Sequence, residues 1–517
     1  MRSTFMGLEA SKRGLFTQQS ALYTTGHNIA NANTAGYSRQ RVNMEPTLGY
    51  PGTGLNAPKT AGFIGTGVEA SSVQRIRDAF VDKQFRQESN KLGYWESRSK
   101  AISQMEDILN EPSDYGLAKS LDEFWNSLQD LHVHPEDGGA RAVVVQRGIA
   151  VADSFHYMHN SIQELRENAG NEIGILLKDA NSVLQQIAQI NHQIQSVEPN
   201  GYMPNDLYDK RDELLDQLST YFPIEIEHGS SGGNALPIAE GPITVSLKLK
   251  DGTSVDLVNG KNFVQIRNAG PSQADGITPT DAMQGLQLVT VADDGTETAV
   301  GGSIDITNFS NLGKFKSLVD SYGYADTSGV KGLFPDMISE LNRLAQGFAD
   351  EFNAIHTAGT DLNGATGQLF FVNRDDVTQP ITAENIYVNE NILNDPNLIA
   401  ASDAGHEPGN GKNALKLAGM KFNEIAALGN VSVQSKFESI IGQLGVDGQQ
   451  AVRLTYNAQT LQQSVLERRT SISSVSLDEE MTNMISFQQA YNANARMITV
   501  IDETLDKIIN GMGRVGL

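Results

Sequence analysis

The sequence predicts a mainly α protein with one β-rich inserted domain, and three features carry that reading. Apolar residues advance alternately by four and three positions between Val151 and Val197, and a second series of the same spacing runs from Leu477 to Ile509. Between about residues 224 and 332 this spacing gives way to alternation of apolar and polar residues, the period of a half-buried strand. At 517 residues, 39% hydrophobic and 20% charged, the chain has the length and composition of several folded domains.

The first series comprises Val151, Phe155, Met158, Ile162, Leu165 and Ala169, then resumes after one extra residue at Ile173, Leu176, Ala180, Val183, Ile187, Ile190, Ile194 and Val197, with no proline between. It predicts one helix of about a dozen turns, too long to stand without a partner along its seam. Pro199-Asn200-Gly201 breaks it, and Asn205 or Asp206 can cap a second helix with Leu207, Arg211, Leu214, Leu215 and Leu218 on one face. So short a connection predicts antiparallel packing, with this seam as internal core.

In the insert, Ile243 to Leu249 alternates and Asp251-Gly252 supplies the two central residues of a tight hairpin. Further strands are predicted at Phe263–Ile266, Leu286–Val291 and Ile304–Ile306. Helical spacing returns over Leu333–Ile355, and after a mixed stretch rich in Asn, Asp and Gly it returns again from Phe437 to Ile509, broken near Ser471–Ser476. The division is therefore a terminal coiled coil of residues 1–40 and 477–517, a helical bundle of 41–223, 333–358 and 436–476, the insert 224–332, and a mixed, irregular region 359–435.

The second series is Leu477, Met481, Met484, Gln488, Tyr491, Ala495, Ile498, Asp502, Leu505 and Ile509. At the other end Leu8, Leu15, Leu22 and Ile29 recur every seventh residue on a helix otherwise rich in Ser, Thr, Gln and Asn. The two ends are complementary, but burying one leucine contributes roughly 1.5–3 kcal/mol, while ordering seven residues costs on the order of 10 kcal/mol before hydrogen bonding and packing offset part of it. Both ends are therefore expected to be mobile in the monomer and ordered by neighbouring subunits. Narrow, uniform amide NMR signals from them in monomer are the expected result; dispersed signals would contradict it.

A net charge of −23 argues against binding to nucleic acid or anionic membrane, since like charges repel. No apolar run is long enough for a membrane helix, and Met1 to Gly7 has no apolar core for a cleaved secretion signal. The absence of cysteine excludes disulfides and thiolate chemistry. Motifs for chemistry are weak. His132-Val133-His134 points its rings apart if extended, Gly409-Asn410-Gly411-Lys412-Asn413 lacks the spacing and hydroxyl of a phosphate loop, and no Gly-x-Ser-x-Gly elbow occurs. The pairs Asp293-Asp294 and Asp375-Asp376 lie in polar surroundings that supply no desolvation, and Asp361 to Gly364 reads as a turn because it lacks the further carboxylates of a calcium loop. No catalytic residue, cofactor or metal is assigned.

Residues 19–41, with Asn28-Ile29-Ala30-Asn31 followed by Asn33, Thr34, Gly36 and Tyr37, resemble the amino-terminal signature of the flagellar rod, hook and hook-associated proteins, the axial family. Ala35 stands where that family commonly has proline. Taken alone, Asn28, Asn31 and Asn33 read as cap or turn residues. Ser476 to Met481 and Gln488 to Arg496 resemble the carboxyl-terminal signature of the same family. Gly36 to Gln40 and the interior string Asn353 to Gly364, with Gly367 and Phe370-Phe371, are similar to the hook-associated branch, as is the long helix before residue 200.

The resemblance implies a non-enzymatic structural subunit of the bacterial flagellum at the junction of hook and filament. It implies export by the flagellar type III apparatus with a dedicated chaperone, and assembly with itself in a helical layer between hook protein and a second junction protein. By the same resemblance Leu8, Leu15, Leu22 and Ile29 pack with Met481, Met484, Tyr491, Ile498 and Leu505 in the inner tube, Asn28, Asn31 and Asn33 belong to the assembly region, and the insert faces solvent and is dispensable. The alternatives are another axial protein (hook or distal rod) or an axial protein with an enzymatic insert. A free coiled-coil adhesin explains the long seam but not the paired ends.

Overall fold

The structure, a computed structural model, describes residues 4–50, 65–109, 116–292, 296–310, 312–376, 378–404 and 407–511. Asp293-Asp294 lies outside them. In chain order, helix α1 (Thr4–Ala30) leads into a ribbon of β1 (Gln40–Pro46) and β2 (Val68–Arg75), then α2 (Ala79–Leu109), α3 (Leu117–Val133), α4 (Gly138–Val197) and α5 (Asn205–Tyr221). The insert holds β3 (Ile224–His228), β4 (Ile243–Lys248), β5 (Ser254–Asn259), β6 (Asn262–Phe263), β7 (Gln265–Asn268), β8 (Gly285–Val291), β9 (Glu297–Ala299) and β10 (Ile304–Asp305). After it come α6 (Gly313–Tyr322), a hairpin of β11 (Tyr324–Asp326) and β12 (Gly329–Lys331), and α7 (Leu333–Thr357). The chain ends with β13 (Phe371–Asn373), β14 (Ile386–Val388), α8 (Glu390–Asn394), α9 (Lys412–Gly419), α10 (Val433–Ser473) and α11 (Leu477–Gly511).

The long helix is a single span of 60 residues that starts before Val151, at Gly138, where the Asp137 carboxylate accepts a hydrogen bond from Gly139 N–H at 2.8 Å. Its seam is buried throughout except Leu165 and Val197, which are half-buried. It is the spine on which the rest docks. Two asparagines ten residues apart hold the two sheets. Asn191 Nδ2 donates to Ile243 O and Gly260 O while its Oδ1 accepts from Ile243 N–H, and Asn181 exchanges the same pair of bonds with Ile266. The sheets are antiparallel, in the orders β3-β4-β5-β6 and β10-β8-β7, with β9 also on β8.

Four expectations need correction. The β4–β5 hairpin closes through three residues, Lys250 to Gly252, because Leu249 and Thr253 still pair and Gly252 takes the left-handed conformation (φ 85°) that ends a three-residue loop. Residues 41–75, assigned to the helical bundle, hold nearly all of the β1–β2 ribbon, whose mixed polar residues give no clear alternation to read. Gly313–Tyr322, assigned to the β-rich insert, is helical and buries Phe315, Leu318 and Val319 against the bundle. The insert is also not a separable solvent-facing unit. Phe222 stacks on Phe315 at 5.1 Å and Phe315 on Phe309 at 5.8 Å. Glu198 of the helical body accepts from Gly241 N–H and Ser231, and Glu240 is an ion-pair partner of Arg75 and Arg211. Deleting residues 230–325 is expected to abolish folding, so the insert is not dispensable, since the deletion opens the core at Phe222 and strands Arg211 in it. Soluble yield and circular dichroism check this; a folded, motile deletion would restore the solvent-facing reading.

The interior string Asn353 to Phe371 builds a core. Phe124, Phe348, Phe352, Phe370 and Phe371 form one aromatic cluster, with Phe370 and Phe371 rings 4.9 Å apart and Phe348 and Phe371 5.0 Å apart. Gly148 on α4 admits Phe370, whose ring would stand 2.9 Å from a Cβ there. The Asn353 side chain accepts from Phe370 N–H and Phe371 N–H and donates to Phe371 O. Buried His356 donates from Nδ1 to Gln368 O at 2.6 Å and accepts at Nε2 from Ala400 N–H at 3.0 Å, an arrangement only the neutral ring can make. Asp361 turns the chain, accepting Gly364 N–H on its carbonyl and Ala365 N–H on its carboxylate. Region 359–435, though irregular, is anchored to the start of α4 by Arg141, which donates to Ile399 O at 2.8 Å and Asn397 O at 3.2 Å.

Burial lowers the His356 pKa to about 4. Its unfolded value is near 6.5, so between those values the unfolded chain takes up a proton that the folded chain refuses. Stability is therefore full above pH 6.5 and falls by about 3 kcal/mol as pH drops to 4. Melting curves across that window are expected to show the loss, and a smaller slope in His356→Gln.

Candidate assembly site: the paired chain ends and their joint to the body

Helix α1 lies between α11 on one side and the β1–β2 ribbon on the other. Its buried positions are Gly14, Thr17, Ala21, Thr24, Thr25 and Asn28, a stripe of small and polar residues, while Leu8, Leu15, Leu22 and Ile29 flank it half-buried. On α11, Met484, Tyr491, Ile498 and Leu505 are half-buried, as are Phe487, Asn494 and Ile501; Glu480 is buried. Met481, Gln488, Asp502, Leu477 and Ile509 are exposed, so half of the α11 seam lies one residue earlier than its apolar spacing suggested. The outer faces of the pair keep large apolar residues in solvent: Phe16, Tyr23, Ile485, Met497 and Val500 are each more than half exposed, with Tyr23 at 78%.

At its carboxyl end α1 meets the body through Asn28, which is 1% exposed and uses every bond its amide can make to protein. Nδ2 donates to Gln40 O at 2.8 Å and Glu480 Oε2 at 3.1 Å; Oδ1 accepts from Gln40 N–H at 3.0 Å and Tyr37 O–H at 2.8 Å. Tyr37 in turn sits 3.0 Å from His27 Nδ1, and burial together with Asp206, Asp209 and Glu480 pushes its hydroxyl pKa up. Asn31 is a local cap, donating to His27 O at 3.0 Å and accepting from Thr34 O–H; Asn33 is exposed in the turn that follows. The three asparagines thus divide: one makes a long-range joint, and two behave as turn residues.

The joint continues into a buried ion-pair network absent from the sequence reading. Arg39 bonds Glu480 at 2.8 Å and Glu479 at 2.5 Å, and its main chain bonds Ser473 O and Ile76 N–H. Ser38 N–H donates to Asp209, and Gln40 Nε2 to Asp206. Arg75, at the end of β2, pairs with Asp209 at 2.6 Å, Asp212 at 2.9 Å, and Glu240. Arg77 bonds Asp82 and Asp212, Arg86 bonds Asp212 and Asp216, and Arg469 bonds Asp82 and Asp216, all between 2.7 and 3.0 Å. Burial alone would raise the Asp212 pKa, but Arg77, Arg75, Arg86 and Arg211 outweigh it and hold the carboxyl well below the usual range. A signal was present: Asp209, Asp212 and Asp216 follow at three and four residues on one face of α5, and Arg211 stands among leucines.

No helix among the described residues is long and apolar enough to cross a membrane. His132 Nδ1 lies 3.0 Å from Gly411 O, and no group of three His, Asp or Glu residues among those described could hold a metal ion.

The two chain ends are thus paired helices that carry exposed apolar faces and are jointed to a helical body. The family model for the flagella basal body rod protein matches residues 8–37, and that for the carboxyl-terminal part of the flagellar basal body rod proteins matches 467–511, so both ends are of flagellar axial type. The helical domain of flagellar hook-associated protein FlgK matches residues 102–371. Flagellar hook-associated protein 1 of Bacillus subtilis is 41% identical over 99% of both chains, and that of Salmonella typhimurium 24% over 96% of this chain and 98% of its own. The solved flagellar hook junction protein FlgK of Burkholderia pseudomallei shares the fold at TM-score 0.59 and 13% identity, covering 76% of this chain and all of that one. The chain belongs to the flagellar hook-associated protein 1 family, a family of flagellar structural proteins.

Proposed function

We propose that this subunit forms the layer that joins hook to filament, assembling with copies of itself through α1 and α11. The observation that carries the reading is the unpartnered apolar surface on both terminal helices, together with the joint that fixes those helices to the body. Burying one large apolar side chain contributes roughly 1.5–3 kcal/mol, so a neighbour covering Phe16, Tyr23, Ile485, Met497 and Val500 supplies the stabilisation that a lone pair of helices lacks. Head-to-tail contacts of this kind do not close on themselves and build a helical layer. In that layer Leu8, Leu15, Leu22, Ile29, Met481, Met484, Tyr491, Ile498 and Leu505 lie in the inner tube. Hook protein is the partner on one side and a second junction protein on the other. Export is by the flagellar type III apparatus, with a chaperone covering α11 until release.

A strain lacking the gene, scored by electron microscopy, tests this: hooks without filaments and flagellin shed into the medium are expected. Loss of the hook itself would move the assignment to a hook or rod subunit, and normal filaments would refute it.

A further inference from the structure

The contacts between α1 and α11 share one register. A Cβ on Gly7 would stand 3.4 Å from Ile501 Cδ1, a Cβ on Gly14 would fall 2.9 Å from Asn494 Oδ1, and Asn28 bonds Glu480 at 3.1 Å. Each step of seven residues along α1 matches a step of seven back along α11, which brings Ala21 level with Phe487. Small residues therefore face large ones at three successive levels, and the fourth is a buried amide–carboxylate pair. The apolar spacing of both helices repeats every seven residues, so packing alone discriminates poorly against a slip of one heptad, a displacement of about 10 Å.

We infer that Glu480, held by Asn28 and Arg39, is the positioning residue that selects this register and excludes the neighbouring ones. Slipped one way, Glu480 would lie against Ala21, which has no donor to offer it, and Asn28 would lose its carboxylate partner. Slipped the other way, Phe487 would cover Asn28 and Glu480 would pass beyond the end of α1, level with Ala35. Both slips also break the Arg39–Glu480 pair that ties the helices to the body. A single buried polar pair in a heptad seam acts in this way because every other pairing leaves it unsatisfied. The assignment stands apart from the junction function, since register is a property of the chain itself.

Because the chain has no cysteine, disulfide trapping reads the register directly in the full-length protein. Ala21→Cys with Phe487→Cys reports the native register, and Ala21→Cys with Asn494→Cys reports a slip. Each pair is made in the parent, in Glu480→Leu and in Glu480→Gln, and oxidised under the same conditions. The parent is expected to trap only the native pair. Glu480→Leu is expected to trap both, within about twofold of each other, and Glu480→Gln, which still accepts from Asn28, to return to mostly the native pair. Equal trapping of both pairs in the parent would overturn the inference. So would native trapping alone in Glu480→Leu, or no trapping there at all, which would give Glu480 a role in pairing rather than in choosing the register.

Discussion

Arg75→Ala is expected to lower stability by roughly 3–5 kcal/mol, among the largest effects of any single side chain in the molecule. The Arg75 side chain is 4% exposed and stands between Asp209, Asp212 and Glu240, so its removal leaves buried carboxylates without a main counter-charge. The damage is not local, because β2, α5 and the insert meet at this residue. Urea unfolding followed by circular dichroism measures it, and a midpoint close to that of the parent would show that Arg77, Arg86 and Arg211 compensate. The network also sets a direction with pH. The Asp212 carboxyl ionises more readily folded than unfolded, so its contribution is present above the ordinary carboxylate range and is lost as pH falls below it.

Asn28→Ala is expected to abolish filament assembly while leaving the body folded. The change deletes four hydrogen bonds and strands Gln40 N–H and Gln40 O, at roughly 1–3 kcal/mol for each group left buried and unpaired, while Glu480 keeps only its bond to Arg39. That is enough to free α1 from the body, because α1 has few other polar ties to it. Asn33→Ala, which alters an exposed turn residue, is the matched control and is expected to assemble as the parent does. The fraction of cells bearing filaments, counted by electron microscopy, distinguishes them; equal counts would place the joint elsewhere.

The long-range helices were legible because four-and-three spacing survives any tertiary context: α4, α5, α7, α10 and α11 all follow from apolar periodicity. The β1–β2 ribbon was not, since polar residues are mixed through both of its strands and the cover on it comes from α1, whose small and polar inner stripe gives no apolar signal to match. Helix α6 was missed because ten residues between two Gly-rich turns give barely three turns of signal. At the terminal pair, the visible line Leu8, Leu15, Leu22 and Ile29 drew attention away from Gly7, Gly14, Ala21 and Asn28, one residue earlier. Periodicity finds the period of a seam, but close approach of two helices favours small residues, and these carry no hydrophobic signal. The ion-pair network escaped for a related reason. Charges are ordinarily solvated, and only the clustering of Asp209, Asp212 and Asp216 around Arg211 hinted that these were not.

The two chain ends, paired in one register and jointed to the body, are expected to build the axial layer of the junction. Electron cryomicroscopy of the hook–filament junction in purified flagella of the parent strain tests it most directly. In that junction α1 and α11 are expected innermost in every subunit, with Phe16, Tyr23, Ile485, Met497 and Val500 covered by neighbouring copies and Asn28 still bonded to Glu480. A junction in which those apolar faces remain in solvent, with contacts between subunits made by the helical body or the insert, would contradict it.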